Sequence, residues 1–215
     1  MIRFDPTLYF ITDSTGMNES EFFNIIAEAL RGGVTLVQLR EKEKSTRAYI
    51  DLAREVHRLT EKYNVPLIID DRVDVAYAAE AEGVHLGAED MPINTARKIL
   101  GKDKIIGATA KTTEQAKKAE TEGANYLGVG AIYPTTTKVK TVLTSIETLS
   151  RICREVKIPV NAIGGLDADN IGVLDGIGIS GVCVVSAIMK AERPFEAAYE
   201  LGCIAGKLVG KRGIL

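Results

Sequence analysis

The feature that most constrains the fold is a recurrence: eight short β-rich runs with amphipathic stretches between them. The runs are "TLYFITD" (7–13), "TLVQLR" (35–40), "PLIIDD" (66–71), "GVHLG" (83–87), "KIIGAT" (104–109), "YLGVGAI" (126–132), "PVNAIGG" (159–165) and "GVCVVSAI" (181–188). Most are continuously apolar rather than alternating, as expected of parallel strands buried on both faces. The pieces between them have helical period. Phe22, Ile25, Ile26 and Ala29 share one face of the first, and Tyr49, Leu52, Val56 and Leu59 share one face of the second. Several helices are expected to stop on a left-handed Gly, as in "AEAEGVHLG", "AETEGANYLGVG" and "LDGIGISGVCVV". The repeating unit is strand, helix, Gly, strand. Eight such units without a linker predict an α/β chain folded as a single (β/α)8 TIM barrel, one domain over residues 1–215. The alternative is a doubly wound open sheet. Either architecture gathers chemistry beyond the carboxyl ends of the strands.

A length of 215 residues suits one such barrel, and 46% apolar with 26% charged residues is ordinary globular composition. A net charge of −2 gives no general reason to expect nucleic acid or an anionic membrane as partner, so any bound anion is held by local placement. The opening "MIRFDPTLYFITDSTG" is too charged for a signal sequence, and no stretch reaches the roughly 20 apolar residues of a membrane span. Cys153, Cys183 and Cys203 are odd in number and lack a C-x-x-C pair, which argues against disulfides or structural zinc and points to a reducing cytoplasm. Self-association into a homo-oligomer is compatible with the sequence and not demanded by it.

Two acidic pairs end successive runs: Asp70-Asp71 after the third and Glu89-Asp90 after the fourth. On one barrel rim they repel unless something positive lies between them, and Mg²⁺ held by one or two carboxylates plus a substrate phosphate is the usual such arrangement. Asp71 and Asp90 are the expected metal ligands. The competing role is helix capping, and it is the one expected of Asp74. In "QLREK" Gln38, Arg40 and Lys42 point the same way by strand alternation, offering a polar group and a donor fork to an anion. Lys42 is equally readable as a surface lysine.

After the sixth run, "GVGAIYPTTTKVK" places Thr135, Thr137 and Lys138 on a loop with hydroxyls, N–H groups and a cation, which suits phosphate. Gly164-Gly165 after the seventh run, and Ser186 with Ala187 at the end of the eighth, lie where barrels often bind phosphate. The competing role for the glycines is a tight turn. The rim thus carries two anion sites, one metal-assisted and one of backbone and hydroxyl groups. His57 is expected at the surface of the second helix and His85 as a satisfied core histidine, and neither supports a nucleophilic triad. "KTTEQ" (111–115) and "TTTKVKTVLT" (135–144) are the candidate mobile loops on composition.

Taken together and in order, "YFITD", "TLVQLREK", "IIDDRVDVA", "GVHLGAEDMP", "YLGVGAIYPTTTK", "AIGG" and "VVSAI" resemble the thiamine phosphate synthase family, over almost the whole chain. The resemblance implies a barrel transferase that joins hydroxymethylpyrimidine diphosphate to a thiazole phosphate, giving thiamine phosphate and pyrophosphate with Mg²⁺. It implies that Asp71 and Asp90 bind Mg²⁺ and that Gln38, Arg40, Lys42, Asp70 and Lys138 surround the pyrimidine diphosphate. Thr109 would lie by the pyrimidine ring. Thr135, Thr137, Gly165, Ser186 and Ala187 would hold the thiazole phosphate. Arg40, Lys138 and Thr109 would be the catalytic set. Four positions depart from the common pattern: Asp70 stands where Asn is frequent, Thr109 where Ser is frequent, Ala88 where Gln often precedes Glu-Asp, and Ala131 where Pro often precedes Ile-Tyr-Pro. Asp70 adds negative charge beside the expected metal, and Thr109 keeps the hydroxyl. Competing functions are a thiazole tautomerase, an idle barrel that binds thiazole phosphate or thiamine phosphate, and a phosphosugar isomerase, for which no carboxylate stands in an evident proton-abstracting place.

Overall fold

The structure is a computed structural model that describes residues 4–135 and 142–210. Eight parallel strands close into a barrel in sequence order: β1 (Leu8–Ile11), β2 (Leu36–Leu39), β3 (Leu67–Asp70), β4 (Gly83–Leu86), β5 (Ile105–Ala110), β6 (Tyr126–Gly130), β7 (Val160–Ile163) and β8 (Gly181–Val184). β1 pairs with β2 on one side (Tyr9 with Leu36) and with β8 on the other (Tyr9 with Cys183), which closes the ring. The helices outside it are α1 (Glu19–Arg31), α2 (Thr46–Glu61), α3 (Val73–Ala78), α4 (Ile93–Leu100), α5 (Thr113–Glu122), α6 (Ile146–Glu155), α7 (Ser186–Met189) and α8 (Pro194–Leu208). The (β/α)8 barrel is as expected, and the open sheet is excluded by the β1–β8 pairing.

Local chemistry explains the elements. Asn18 caps α1, its side-chain oxygen accepting from the Glu21 N–H at 3.0 Å. Phe22, Ile25, Ile26, Ala29 and Leu30 then form the buried face, each large side chain contributing on the order of 1.5–3 kcal/mol by leaving water. On α2 the buried set is Tyr49, Ala53, Val56 and Thr60, so Leu52 and Leu59 lie at the margin of the face rather than at its centre. The Gly caps hold in part. Gly123 ends α5 with φ 101°, whereas Gly83 is the first residue of β4 and the turn after α3 uses Glu80 at φ 58°. The seventh unit departs from the repeat, with one 3₁₀ turn (Ile171–Leu174) in place of a full helix. "KTTEQ" is not a loose loop: Thr112 caps α5 by accepting from the Gln115 N–H, and the Gln115 side chain accepts from the Lys111 N–H.

There are two cores. The larger lies between strands and helices; the smaller fills the barrel with Tyr9, Ile11, Leu36, Ile68, Ile105, Tyr126 and Cys183. Room for the big interior rings comes from inward positions that carry no side chain. A Cβ at Gly107 would lie 2.1 Å from Tyr126 Cζ, and one at Gly128 would lie 3.2 Å from His85 Cε1. Among the described residues no helix is long and apolar enough to cross a membrane.

Candidate active site

β3 ends on Asp70, which is only 8% exposed, and the chain turns at once through Asp71 in the left-handed region at φ 60°. That turn is tied down by the Asp71 N–H donating to the His85 carbonyl at 2.9 Å. Two cations reach over from the turn after β2. The Lys42 ammonium lies 2.6 Å from Asp70 Oδ2 and also pairs with Asp71 Oδ2, while Arg40 Nε lies 3.9 Å from the same Asp70 oxygen. Lys42 is therefore paired into the cluster although its side chain remains partly open to solvent. The convergence expected of "QLREK" is present by a different route: only Gln38 lies within β2, pointing inward, and Arg40 and Lys42 arrive from the turn beyond it.

Asp71 and Asp90 stand close enough to perturb each other, and two neighbouring carboxylates favour a proton or a cation between them. Asp90 Oδ2 also accepts from the Gly87 N–H at 2.7 Å. Neither Asp71 nor Asp90 caps a helix, because Arg72 and Pro92 occupy the N-cap positions without side-chain caps. Asp74 is likewise not a cap. It sits inside the first turn of α3, its two oxygens held by Arg72 Nε at 2.8 Å and Nη2 at 2.5 Å. Glu89 is exposed and stands apart from the cluster.

The cluster divides its charges unevenly. Burial, followed by the Asp71 charge, pushes the Asp70 carboxyl up to about 6 against the opposing pull of Lys42. Burial works against ionising Asp71 as well, but the hydrogen bond and charge of Lys42 outweigh it and hold that carboxyl below its ordinary value. Asp90 is raised, first by burial and then by its bond to Asp71, with the Gly87 N–H opposing. Among the described residues no three His, Cys, Asp or Glu side chains gather as a closed metal cage. Two neighbouring carboxylates that perturb each other nevertheless match the donor chemistry of Mg²⁺, which is commonly bound by one or two carboxylates plus phosphate.

Across the ring lie the ends of β6, β7 and β8. Gly164 and Gly165 have φ of 106° and 64°, and a Cβ at Gly165 would lie 2.7 Å from the Pro134 carbonyl oxygen and 2.8 Å from Tyr133 Cβ. Their bareness thus lets the loop after β6 settle on the turn after β7, with the Tyr133 N–H bonded to the Gly164 carbonyl at 3.0 Å. Thr135 ends the described part of that loop, and Thr137 and Lys138 lie outside the described residues. Ser186 and Ala187 do not extend β8 as the run 181–188 suggested. They open α7, where the first N–H groups of a helix have no partner within it.

Several features escape a reading of the sequence. His57 is not a surface residue: its ring is largely covered and Nε2 lies 2.9 Å from Glu82 Oε1. Glu41 turns back under the rim, accepting from Ser14 Oγ at 2.9 Å with its other oxygen buried and without a partner among the described residues, and burial raises its pKa. Thr109, near the end of β5, meets His85, whose ring is satisfied on both sides: Nδ1 is 3.0 Å from the Tyr126 hydroxyl and Nε2 is 3.0 Å from Thr109 Oγ1. The tyrosines joined to this ring sit in apolar runs where they look like any other core ring. Glycine at every second place of "YLGVG" was the available signal.

The chain is similar over nearly its whole length to proteins of one family. The family described as thiamine monophosphate synthase matches residues 8–188. A thiamine-phosphate synthase of Methanobrevibacter smithii is 48% identical over 201 residues, covering 94% of this chain and 96% of that protein. The thiamine-phosphate synthase 2 of Streptococcus pneumoniae is 51% identical over 185 residues, covering 86% of this chain and 88% of that protein. A solved thiamine phosphate pyrophosphorylase from Pyrococcus furiosus superimposes with a TM-score of 0.85 at 41% identity, covering 95% of this chain and 97% of that one. Sequence likeness across nearly the full length and a shared closed barrel agree: the chain belongs to the thiamine monophosphate synthase family.

Proposed function

We propose that this barrel, acting as one domain over residues 1–215, is a thiamine-phosphate synthase that joins hydroxymethylpyrimidine diphosphate to a thiazole phosphate in thiamine biosynthesis. The observation that carries the reading is the meeting of Arg40 and Lys42 with Asp70, Asp71 and Asp90 at the ends of β2, β3 and β4. Cations and carboxylates interleaved in this way suit a polyanion brought in with a divalent metal. A tautomerase has no need of that cluster. Three unpaired cysteines are in keeping with a reducing cytoplasm.

In the proposed reaction the bond between the pyrimidine methylene carbon and the diphosphate oxygen breaks, and its electron pair leaves with pyrophosphate. The thiazole nitrogen then gives its lone pair to that carbon, and the positive charge ends on the thiazolium. Arg40 and Lys42 face the oxygen on which negative charge grows, and Lys138, outside the described residues, would add a third cation. Asp71 and Asp90 would hold Mg²⁺, which supplies further positive charge to the departing diphosphate when bound. Asp70 steers Lys42 and Arg40 from beneath. Gln38 and Thr109 contact the pyrimidine. Thr135, Thr137, Gly165 and the N–H groups of Ser186 and Ala187 hold the thiazole phosphate, a handle remote from the reacting atoms that fixes the nitrogen against the carbon. No protein nucleophile is required.

The test is pyrophosphate release on mixing both substrates, with and without Mg²⁺ after chelation. Release that requires both substrates and the metal is expected. No release would leave a binding barrel, and release undiminished by chelation would remove Asp71 and Asp90 from the metal role.

A further inference from the structure

Five inward side chains on five different strands form one line of hydrogen bonds through the barrel. Gln38 Nε2 of β2 donates to the Tyr9 hydroxyl of β1 at 2.6 Å, and the Tyr9 and Tyr126 hydroxyls lie 2.7 Å apart. The line continues from Tyr126 of β6 to His85 Nδ1 of β4 at 3.0 Å, and from His85 Nε2 to Thr109 Oγ1 of β5 at 3.0 Å. Both tyrosines are fully buried, and burial holds each phenol well above its ordinary pKa, so each carries its one hydrogen. The bareness of Gly107 and Gly128 admits the Tyr126 and His85 rings, which lie with centroids 5.5 Å apart.

Counting hydrogens gives the line a direction. Gln38 spends an N–H on Tyr9, so the Tyr9 hydrogen goes on to Tyr126 and the Tyr126 hydrogen to His85 Nδ1. A neutral imidazole then carries its hydrogen on Nε2 and gives it to Thr109 Oγ1. The hydroxyl hydrogen of Thr109 is left over for the barrel mouth. The reverse sense would turn the Gln38 carbonyl to Tyr9, put the ring hydrogen on Nδ1 and consume the Thr109 hydrogen on His85.

We propose that this buried line presents Thr109 to the substrate as a hydrogen-bond donor, which makes Tyr9, Tyr126 and His85 positioning residues that select a heteroaromatic ring with a nitrogen lone pair at that place. The selection rests on the reading above that Thr109 meets the pyrimidine; the direction of the line does not. A satisfied donor of this kind discriminates strongly, because a ring with C–H in place of the nitrogen leaves the hydroxyl unpaired.

The experiment is ¹⁵N NMR of the full chain labelled at histidine. The sequence holds only 2 histidines, so His57→Gln, on α2 outside the barrel and paired with Glu82, assigns the His85 signals. We expect a neutral His85 ring protonated on Nε2. We also expect Tyr9→Phe, which touches the ring only through Tyr126, to raise the Nδ1-protonated share about fivefold, the equilibrium equivalent of one net hydrogen bond. A kinetic arm compares the pyrimidine diphosphate with its analogue lacking one ring nitrogen, in the wild type and in the near-isosteric Tyr126→Phe. The preference for the pyrimidine is expected to shrink by about tenfold with the removal of the donor. An Nδ1-protonated or doubly protonated ring in the wild type overturns the proposal, as does a tautomer indifferent to Tyr9→Phe. The predicted tautomer together with no turnover of the pyrimidine diphosphate would overturn the substrate reading alone and leave the direction of the line standing.

Discussion

Placing one methyl group at Gly107 sets the interior of the barrel against itself. The added Cβ would stand 2.1 Å from Cζ, 2.3 Å from the hydroxyl oxygen and 2.5 Å from Cε1 of Tyr126, so the ring must retreat by about 1.3 Å to reach ordinary contact. It has nowhere to go. Tyr126 is fully buried with its edge against Tyr9 and Phe4, both at 5.6 Å between centroids. Forcing a methyl into such a core costs about 1–3 kcal/mol. Dragging the phenol away from Tyr9 and His85 leaves buried polar groups unpaired, a further ~1–3 kcal/mol. Gly107→Ala should therefore lower the unfolding free energy by roughly 2–6 kcal/mol, read as a reduced urea midpoint at unchanged slope. In a Tyr126→Leu background, where Cζ and the hydroxyl are gone, the same substitution should cost less than about 1 kcal/mol. Wild-type stability for Gly107→Ala, or costs that simply add in the double variant, would refute the packing argument.

Three further perturbations separate the roles assigned to named groups. A carboxyl whose folded pKa of about 6 exceeds its ordinary 3.8 binds its proton more tightly in the fold, so the stability Asp70 lends is full at low pH and is lost as pH rises through about 6. In chelator, Asp70→Asn should thus match the wild type near pH 4 and exceed it by roughly 1–3 kcal/mol at pH 8, measured by urea unfolding; a variant less stable at pH 8 would contradict the desolvation argument. Arg40→Ala should reduce pyrophosphate release at least about 100-fold with the far-UV spectrum and melting point preserved, and near wild-type turnover would remove Arg40 from the mechanism. Asn18→Ala should cost about 1 kcal/mol through lost capping of α1 and leave catalysis unchanged, which thermal melts and the same assay check together.

How much of this was legible in the chain differs between strands and site. The eight strands stood out because parallel strands buried on both faces read as unbroken apolar runs. The ends of those runs misled for the same reason. "VVSAI" is equally apolar as strand or helix, and it becomes the start of α7 at Ser186. The charged rim was visible because Asp70, Asp71, Arg40 and Lys42 are costly beside buried strands unless they meet one another. The helix caps misled because residue type was used without register: Asp74 falls one turn position too late and goes to Arg72, and Asp90 folds back on the Gly87 N–H. Tyr9 and Tyr126 were hidden because a buried phenol in an apolar run looks like any other core ring. Their meaning depends on Gly107 of β5 and His85 of β4 arriving from other strands, which no local window contains.

The central claim is spatial: the carboxylates and cations at the ends of β2, β3 and β4 grip a metal-bound diphosphate opposite a phosphate held at β6 to β8. A crystal structure of the chain with Mg²⁺, pyrophosphate and thiamine phosphate tests it most directly. The account predicts the metal between Asp71 and Asp90, pyrophosphate against Arg40 and Lys42, and the thiamine phosphate group near Gly165 and Ser186. A metal or pyrophosphate bound away from the Asp71–Asp90 pair, with Lys42 still seated on Asp70, would contradict it.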